Sequence, residues 1–200
     1  MADYESFLPK SVPTILKINI TWHYYYPACS TTPWQLDGVA TRMREDGYRE
    51  LIPAQNRTVV VDPKLGAVNN HLVSVLKKHA MEFVYLYEPQ IKWIKYRPKS
   101  EMLVLDRVFK KGIEIPEILV GKNAFHLPTM KTHVFTTITG AMKNAFGGLL
   151  NENRHWTHAV IHEALVDLLK IQKEIHPGIF SLLMPSARRC RASIRSRSIS

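Results

Sequence analysis

Between His126 and Gly148 the chain reads His-Leu-Pro-Thr-Met-Lys-Thr-His-Val-Phe-Thr-Thr-Ile-Thr-Gly-Ala-Met-Lys-Asn-Ala-Phe-Gly-Gly, a stretch dense in groups that attract an anion. Lys131 brings positive charge, Thr136, Thr137 and Thr139 bring hydroxyl donors, and Lys143 and Asn144 lie about a turn further on. His133 has an ordinary pKa near neutrality, which makes it the candidate general acid or base beside Lys131. Arg154 and His155 follow a short loop after Gly147-Gly148 and can add charge to the same place. A plainer alternative, a capping threonine with solvated lysines, accounts for the same residues. Neither a Gly-x4-Gly-Lys-Ser/Thr loop nor a Gly-x-Gly-x-x-Gly turn is present, so this is not one of the standard phosphate cradles.

His155, His158 and His162 recur at helical spacing and can share one face, where converging imidazoles bind a transition metal. One helix rarely wraps three ligands around an ion, so they read better as surface or site-lining groups, and no metal is expected. Asp62 precedes Pro63 and suits a helix cap.

The elements that must position these groups alternate. Ile15–Ile20, Thr58–Asp62, Phe83–Tyr87, Ile118–Val120 and Ile179–Leu183 read as short apolar strands. Between them run amphipathic helices. The first is capped by Thr32, with Pro33 at its first turn and Gln35 completing a capping box, and Gly47 closes it. Another carries Val68, Leu72, Val75 and Leu76. Further on, helices are expected over 137–146 and 153–175, and 88–117 reads as a peripheral excursion. This alternation predicts an α/β fold, a mainly parallel sheet with helices on both faces in Rossmann-like layering. The anion-binding stretch then leaves a strand end and enters a helix, where ligands gather in open parallel sheets.

The run Leu127-Pro-Thr-Met-Lys131-Thr-His133, followed by Lys143-Asn144-Ala-Phe-Gly147, resembles the signature of the domain-of-unknown-function 362 family: a Pro-Lys-x-Lys-Thr-His-like stretch, then Lys-Asn-x-x-Gly. Thr129 stands where that family commonly has its first lysine. Lys131, Thr132, His133, Lys143, Asn144 and Gly147 carry over. Lys17-Ile-Asn19 is similar to the family's Lys-Pro-Asn strand end, and Thr31-Thr32-Pro33 to its Thr-x-Pro helix start. The resemblance covers residues 13–180. It implies an association with ferredoxin-like iron–sulfur modules, hence redox work or a ferredoxin-like partner, without defining a reaction. It also implies an Asp-Gly turn after the strand at 179–183. This chain instead reads Met184-Pro-Ser-Ala-Arg-Arg-Cys-Arg, which reads as a truncation or frameshift and puts any activity needing that aspartate in doubt.

Composition bounds the rest. The chain of 200 residues, 46% hydrophobic, suits a single domain over 1–183 followed by an Arg/Ser-rich disordered tail over 184–200. Of the net charge of +10, five charges come from Arg188, Arg189, Arg191, Arg195 and Arg197, so nucleic-acid binding is expected only through that tail. No apolar run is long enough to span a bilayer, and no signal peptide is evident, so a cytoplasmic protein with no membrane partner is expected. Two cysteines cannot hold an iron–sulfur cluster within this chain alone; the cofactor is otherwise unspecified. The function expected is an enzyme, redox- or iron–sulfur-associated, acting on an anionic small molecule. The alternatives are a non-catalytic phosphate- or carboxylate-binding module and an RNA-associated protein acting through its tail.

Overall fold

The structure, a computed structural model, describes residues 3–58 and 60–185. In chain order its elements are β1 (Thr14–Ile18), α1 (Pro33–Glu45), β2 (Leu51–Gln55), α2 (Pro63–Asn69), α3 (Leu72–Lys78), β3 (Val84–Tyr85), β4 (Trp93–Tyr96) and α4 (Leu105–Val108). They continue with β5 (Ile113–Pro116), β6 (Asn123–Leu127), β7 (Thr129–His133), β8 (Thr137–Thr139), α5 (Ala141–Phe146), α6 (Ile161–Ile175), β9 (Ile179–Ser181) and β10 (Met184–Pro185). Short 3-10 helices lie at Glu117–Leu119 and Arg154–Val160.

The main sheet runs β3-β2-β1-β6-β9, and every neighbouring pair is parallel. Strands buried on both faces need apolar cover on both. Leu16 and Ile18 of β1 join one core with residues of α1, α2 and α3. Ile15, on the opposite face, joins a second core with residues of α4, α5 and α6. The fold is therefore α/β with helices on both faces, in Rossmann-like layering. Chain order turns back between β1 and β6, which opens a crevice at their carboxyl ends. Thr31 spans that crevice: its hydroxyl donates to Leu127 O (2.6 Å) and accepts from Asn19 N (2.9 Å). Among the described residues, no helix is long and apolar enough to cross a membrane.

Three expected elements are corrected. Of the expected strand Thr58–Asp62, the described residues 58 and 60–62 are not in a strand; Asp62 caps α2 through Lys64 N and Leu65 N, and Val60 is 66% exposed. The strand lies earlier, at Leu51–Gln55, disguised by Pro53. Gln55 O accepts from Leu86 N, so alternate residues of β2 address the β3 side and Pro53 lacks its donor there. The fold tolerates this because β3 pairs only with Ala54 and Gln55, just beyond it. Ile118–Val120 likewise is no strand. Its first residues lie in a 3-10 helix, and the sheet uses Asn123–Leu127 instead. Polar Asn123 and His126 hid that strand, and both are buried with hydrogen bonds, Asn123 to Pro9 O and His126 to Gln172. Thr137 does not start a helix. It belongs to a hairpin in which β8 pairs antiparallel with β7, and α5 begins after Gly140. Repeated threonines favour strand over helix.

Smaller differences follow the same logic. Gln35 N does meet the Thr32 hydroxyl (3.3 Å), but the Gln35 amide donates to Leu182 O, so only half of the capping box forms. The helix expected over 153–175 is α6, preceded by the 3-10 turn. The 88–117 excursion is the β4–β5 hairpin with α4, fastened to α6 by Asp167, which accepts from Leu103, Val104 and Leu105 N. Met184 and Pro185, assigned by sequence to the tail, pair parallel with β7. Residues 186–200, which hold the rest of the expected tail, lie outside the described residues.

Candidate functional site

Beyond the carboxyl ends of the main sheet the chain leaves a cleft of about 1030 Å³. β6 passes through Pro128 into β7, and β9 passes through Leu182 and Leu183 into β10. Leu182 N donates to His126 O and Met184 N to Pro128 O, so the two pairs run on together. This raises the β7–β8 hairpin over the sheet end and brings Lys131, His133 and Thr139 to the cleft.

Lys17 forms the floor. It occupies the last but one position of β1, on the face opposite Leu16 and Ile18, and is 4% exposed. Its ammonium donates to Ile18 O (2.6 Å) and Gln55 Oε1 (2.5 Å). Burial, with repulsion from Arg154, holds its pKa down at about 7. Lys131 donates to Cys29 O (2.7 Å); burial, then Lys143, brings it to about 7. Lys143 lies over the Phe146 ring, 4.8 Å from its centroid, and burial with Arg154 brings it to about 8. Arg154 is buried and donates to Arg57 O. Among the described residues, none of these cations lies within ion-pair distance of a carboxylate; Glu152 pairs with Arg57 and Glu88 with Lys64.

Gly148 makes room for the Lys17 stem. A Cβ there would stand 2.7 Å from Lys17 Cε and 3.3 Å from Leu86 Cδ1, whereas one at Gly38 on α1 meets nothing within 4 Å. Gly148→Ala is expected to lower unfolding free energy by about 1–3 kcal/mol through overpacking. Gly38→Ala should raise it by about 0.5–1 kcal/mol. Urea titration of both variants checks the pair, and equal effects would show that Lys17 moves aside freely.

Of the residues singled out from sequence, Lys17, Asn19, Lys131, His133, Thr139, Lys143, Asn144, Gly147, Arg154 and His155 line this one cleft, as does His158. Thr132, Thr136, Thr137 and His162 do not line it. Thr136 turns its hydroxyl to Ile138 O, and Thr137, at φ 58°, is exposed on the hairpin. Thr139 donates to the hairpin's own carbonyls. The Thr136 and Thr139 hydroxyls thus go to backbone carbonyls, the cations of the cleft are side chains, and α5 has only 6 residues. Asn144 ties α5 to the sheet, donating to Lys17 O (2.9 Å). On α5 Phe146 is buried, whereas Met142 is 39% exposed. Among the described residues no group of three His, Cys, Asp or Glu is placed to hold a metal ion. His155 and His158 lie in the 3-10 turn and His162 on α6.

His133 differs from its expected role. Burial, then Lys143, His158 and Lys131, lowers its pKa to about 4, so it is neutral at pH 7. Its Nδ1 accepts from Phe135 N (3.1 Å), which places the neutral ring's proton on Nε2. In this arrangement it is a hydrogen-bond donor, and the groups that exchange protons near neutrality are the lysines. Gln55, Arg57, Tyr87 and Trp93 also line the cleft and were missed from sequence, where nothing but the sheet order connects them to Lys131.

The match to known families falls on this scaffold. The family model described as Domain of unknown function (DUF362) matches residues 14–184. The chain belongs to this family. The matched span begins with β1 and ends in β10, so it takes in every strand that builds the DUF362 cleft. No curated protein and no solved structure matches the chain.

Proposed function

We propose that this DUF362 domain binds a multiply charged anionic small molecule, phosphate- or carboxylate-bearing, among Lys17, Lys131, Lys143 and Arg154, and moves protons on it with a lysine amine. The observation that carries the reading is the gathering of two buried cations, Lys17 and Arg154, with the half-buried Lys131 and Lys143, and no carboxylate at ion-pair distance from any of them among the described residues. Burying unpaired charge is unfavourable by several kcal/mol, and a bound anion offsets it. Lysines whose pKa lies near 7 exist in both protonation states at working pH, as general acid–base catalysis requires. Lys131, beside the neutral His133, is the candidate for that step.

Inorganic pyrophosphate tests the binding. At a hundredfold excess over its dissociation constant it should stabilise the fold by about 2.7 kcal/mol. Sodium chloride at equal ionic strength should not. Equal melting curves in the two salts would reject the reading.

A further inference from the structure

We infer that the anion carries a flat aromatic group, so that the cleft takes a nucleotide-like ligand with its ring at the β3 edge and its phosphates at the β6 side. The inference rests on the anion reading and adds the substrate class. Sheet order lays out the cleft. Tyr87 and Trp93 follow β3, Arg57 follows β2, Lys17 ends β1, and Lys131 lies beyond β6. Neighbouring strands are about 4.8 Å apart, so three spacings from β3 to β6 separate the aromatic end from Lys131 by about 14 Å. A bare phosphate fills little of about 1030 Å³, a volume at the top of the range of roughly 300–1,000 Å³ for small-molecule sites.

The two ends differ in chemistry. The aromatic end holds the carboxylates of Glu114 and of Glu88, the latter paired with Lys64, while Glu152 pairs with Arg57 between the two ends; Glu114 repels phosphate and accepts from hydroxyl or ring-amine donors. Trp93 is only partly buried, and its indole N–H already donates to Leu86 O (3.0 Å). That bond fixes the ring and leaves its surface as what it offers a ligand. Arg57 stands at the junction, 5.7 Å from the Tyr87 ring centroid. A nucleoside diphosphate matches this sequence of ring, hydroxyls and charge. Stacking on an aromatic side chain changes affinity roughly 5- to 150-fold per base.

The test is calorimetric titration of the full chain with ADP, GDP, UDP and pyrophosphate. At least one nucleotide should bind tenfold or more tighter than pyrophosphate. Trp93→Ala should remove that advantage and leave pyrophosphate affinity unchanged, while Trp93→Phe keeps most of it. If Trp93→Ala fails to fold, Tyr87→Leu takes its place with the same expected loss. Nucleotides binding no tighter than pyrophosphate, or an advantage that survives these substitutions, would overturn the inference and leave the anion reading standing. If neither pyrophosphate nor any nucleotide binds, both fall.

Discussion

Lys143→Met is expected to raise the melting temperature of the unliganded protein and to weaken pyrophosphate binding by tenfold or more. Lys143 lies over Phe146 at the cleft, with its pKa drawn down to about 8 by burial and by Arg154. Methionine keeps the length and flexibility of the side chain and makes a favourable sulfur–ring contact in place of the cation. It removes a charge whose burial opposes folding, while giving up a cation–π contact worth about 0.5–1 kcal/mol. A net gain of about 1 kcal/mol corresponds to roughly 2–4 °C for a domain of this size. The opposite signs matter. A lysine kept for the fold would lose stability on substitution and leave binding alone, and that outcome from scanning calorimetry with and without pyrophosphate would refute the proposed site.

Affinity for an anion of constant charge should fall a hundredfold or more between pH 6.5 and pH 9.5. Sulfate is the suitable probe because its own charge does not change across this range. Lys17 and Lys131 have values of about 7 and Lys143 of about 8, all below the ordinary value of 10.5. Raising the pH through 7–8 therefore removes the charges that hold the ligand. The unliganded fold responds in the opposite sense. Between about pH 7 and 10.5 the unfolded chain binds more protons on these lysines than the native chain, so their contribution to stability rises with pH across that window. Below about pH 7 both states are protonated and the full penalty of burying the charges is present. Binding near pH 8 should draw protons from solution, which titrations in buffers of different ionisation enthalpy detect. A flat affinity profile would mean that these lysines do not face the anion.

Legibility in the sequence followed chemistry. The α/β class was readable because alternating apolar strands and capped helices are local signals, and β1, α1 and the Gly47 stop lie close to where those signals put them. β2 and β6 were not readable, because each breaks the apolar-run rule for a reason that only pairing partners reveal. Pro53 is tolerated where β3 has not yet begun. Asn123 and His126 are tolerated because Pro9 O and Gln172 satisfy them. In the candidate site the cations were visible as charge, and Lys131, Lys143 and Arg154 do line one cleft. The hairpin was mistaken for a helix start, which assigned donor roles to threonines that bond to the hairpin itself. Tyr87, Trp93 and Arg57 are far from Lys131 in sequence, and only the β3-β2-β1-β6 order brings them to the same cleft.

The latch between β10 and β7 has a consequence for the order in which this protein assembles. β1 cannot complete its pairing until residues 123–127 have been made, and the Lys131 strand gains its parallel partner only with Met184 and Pro185. Non-local pairings of this kind fold slowly, because the loop between the partners must close before their contacts form. During synthesis the charged hairpin therefore emerges well before the strand that fastens it. Lys131, Lys143 and Arg154 are thus all made before the strand whose pairing fastens the hairpin over the sheet end.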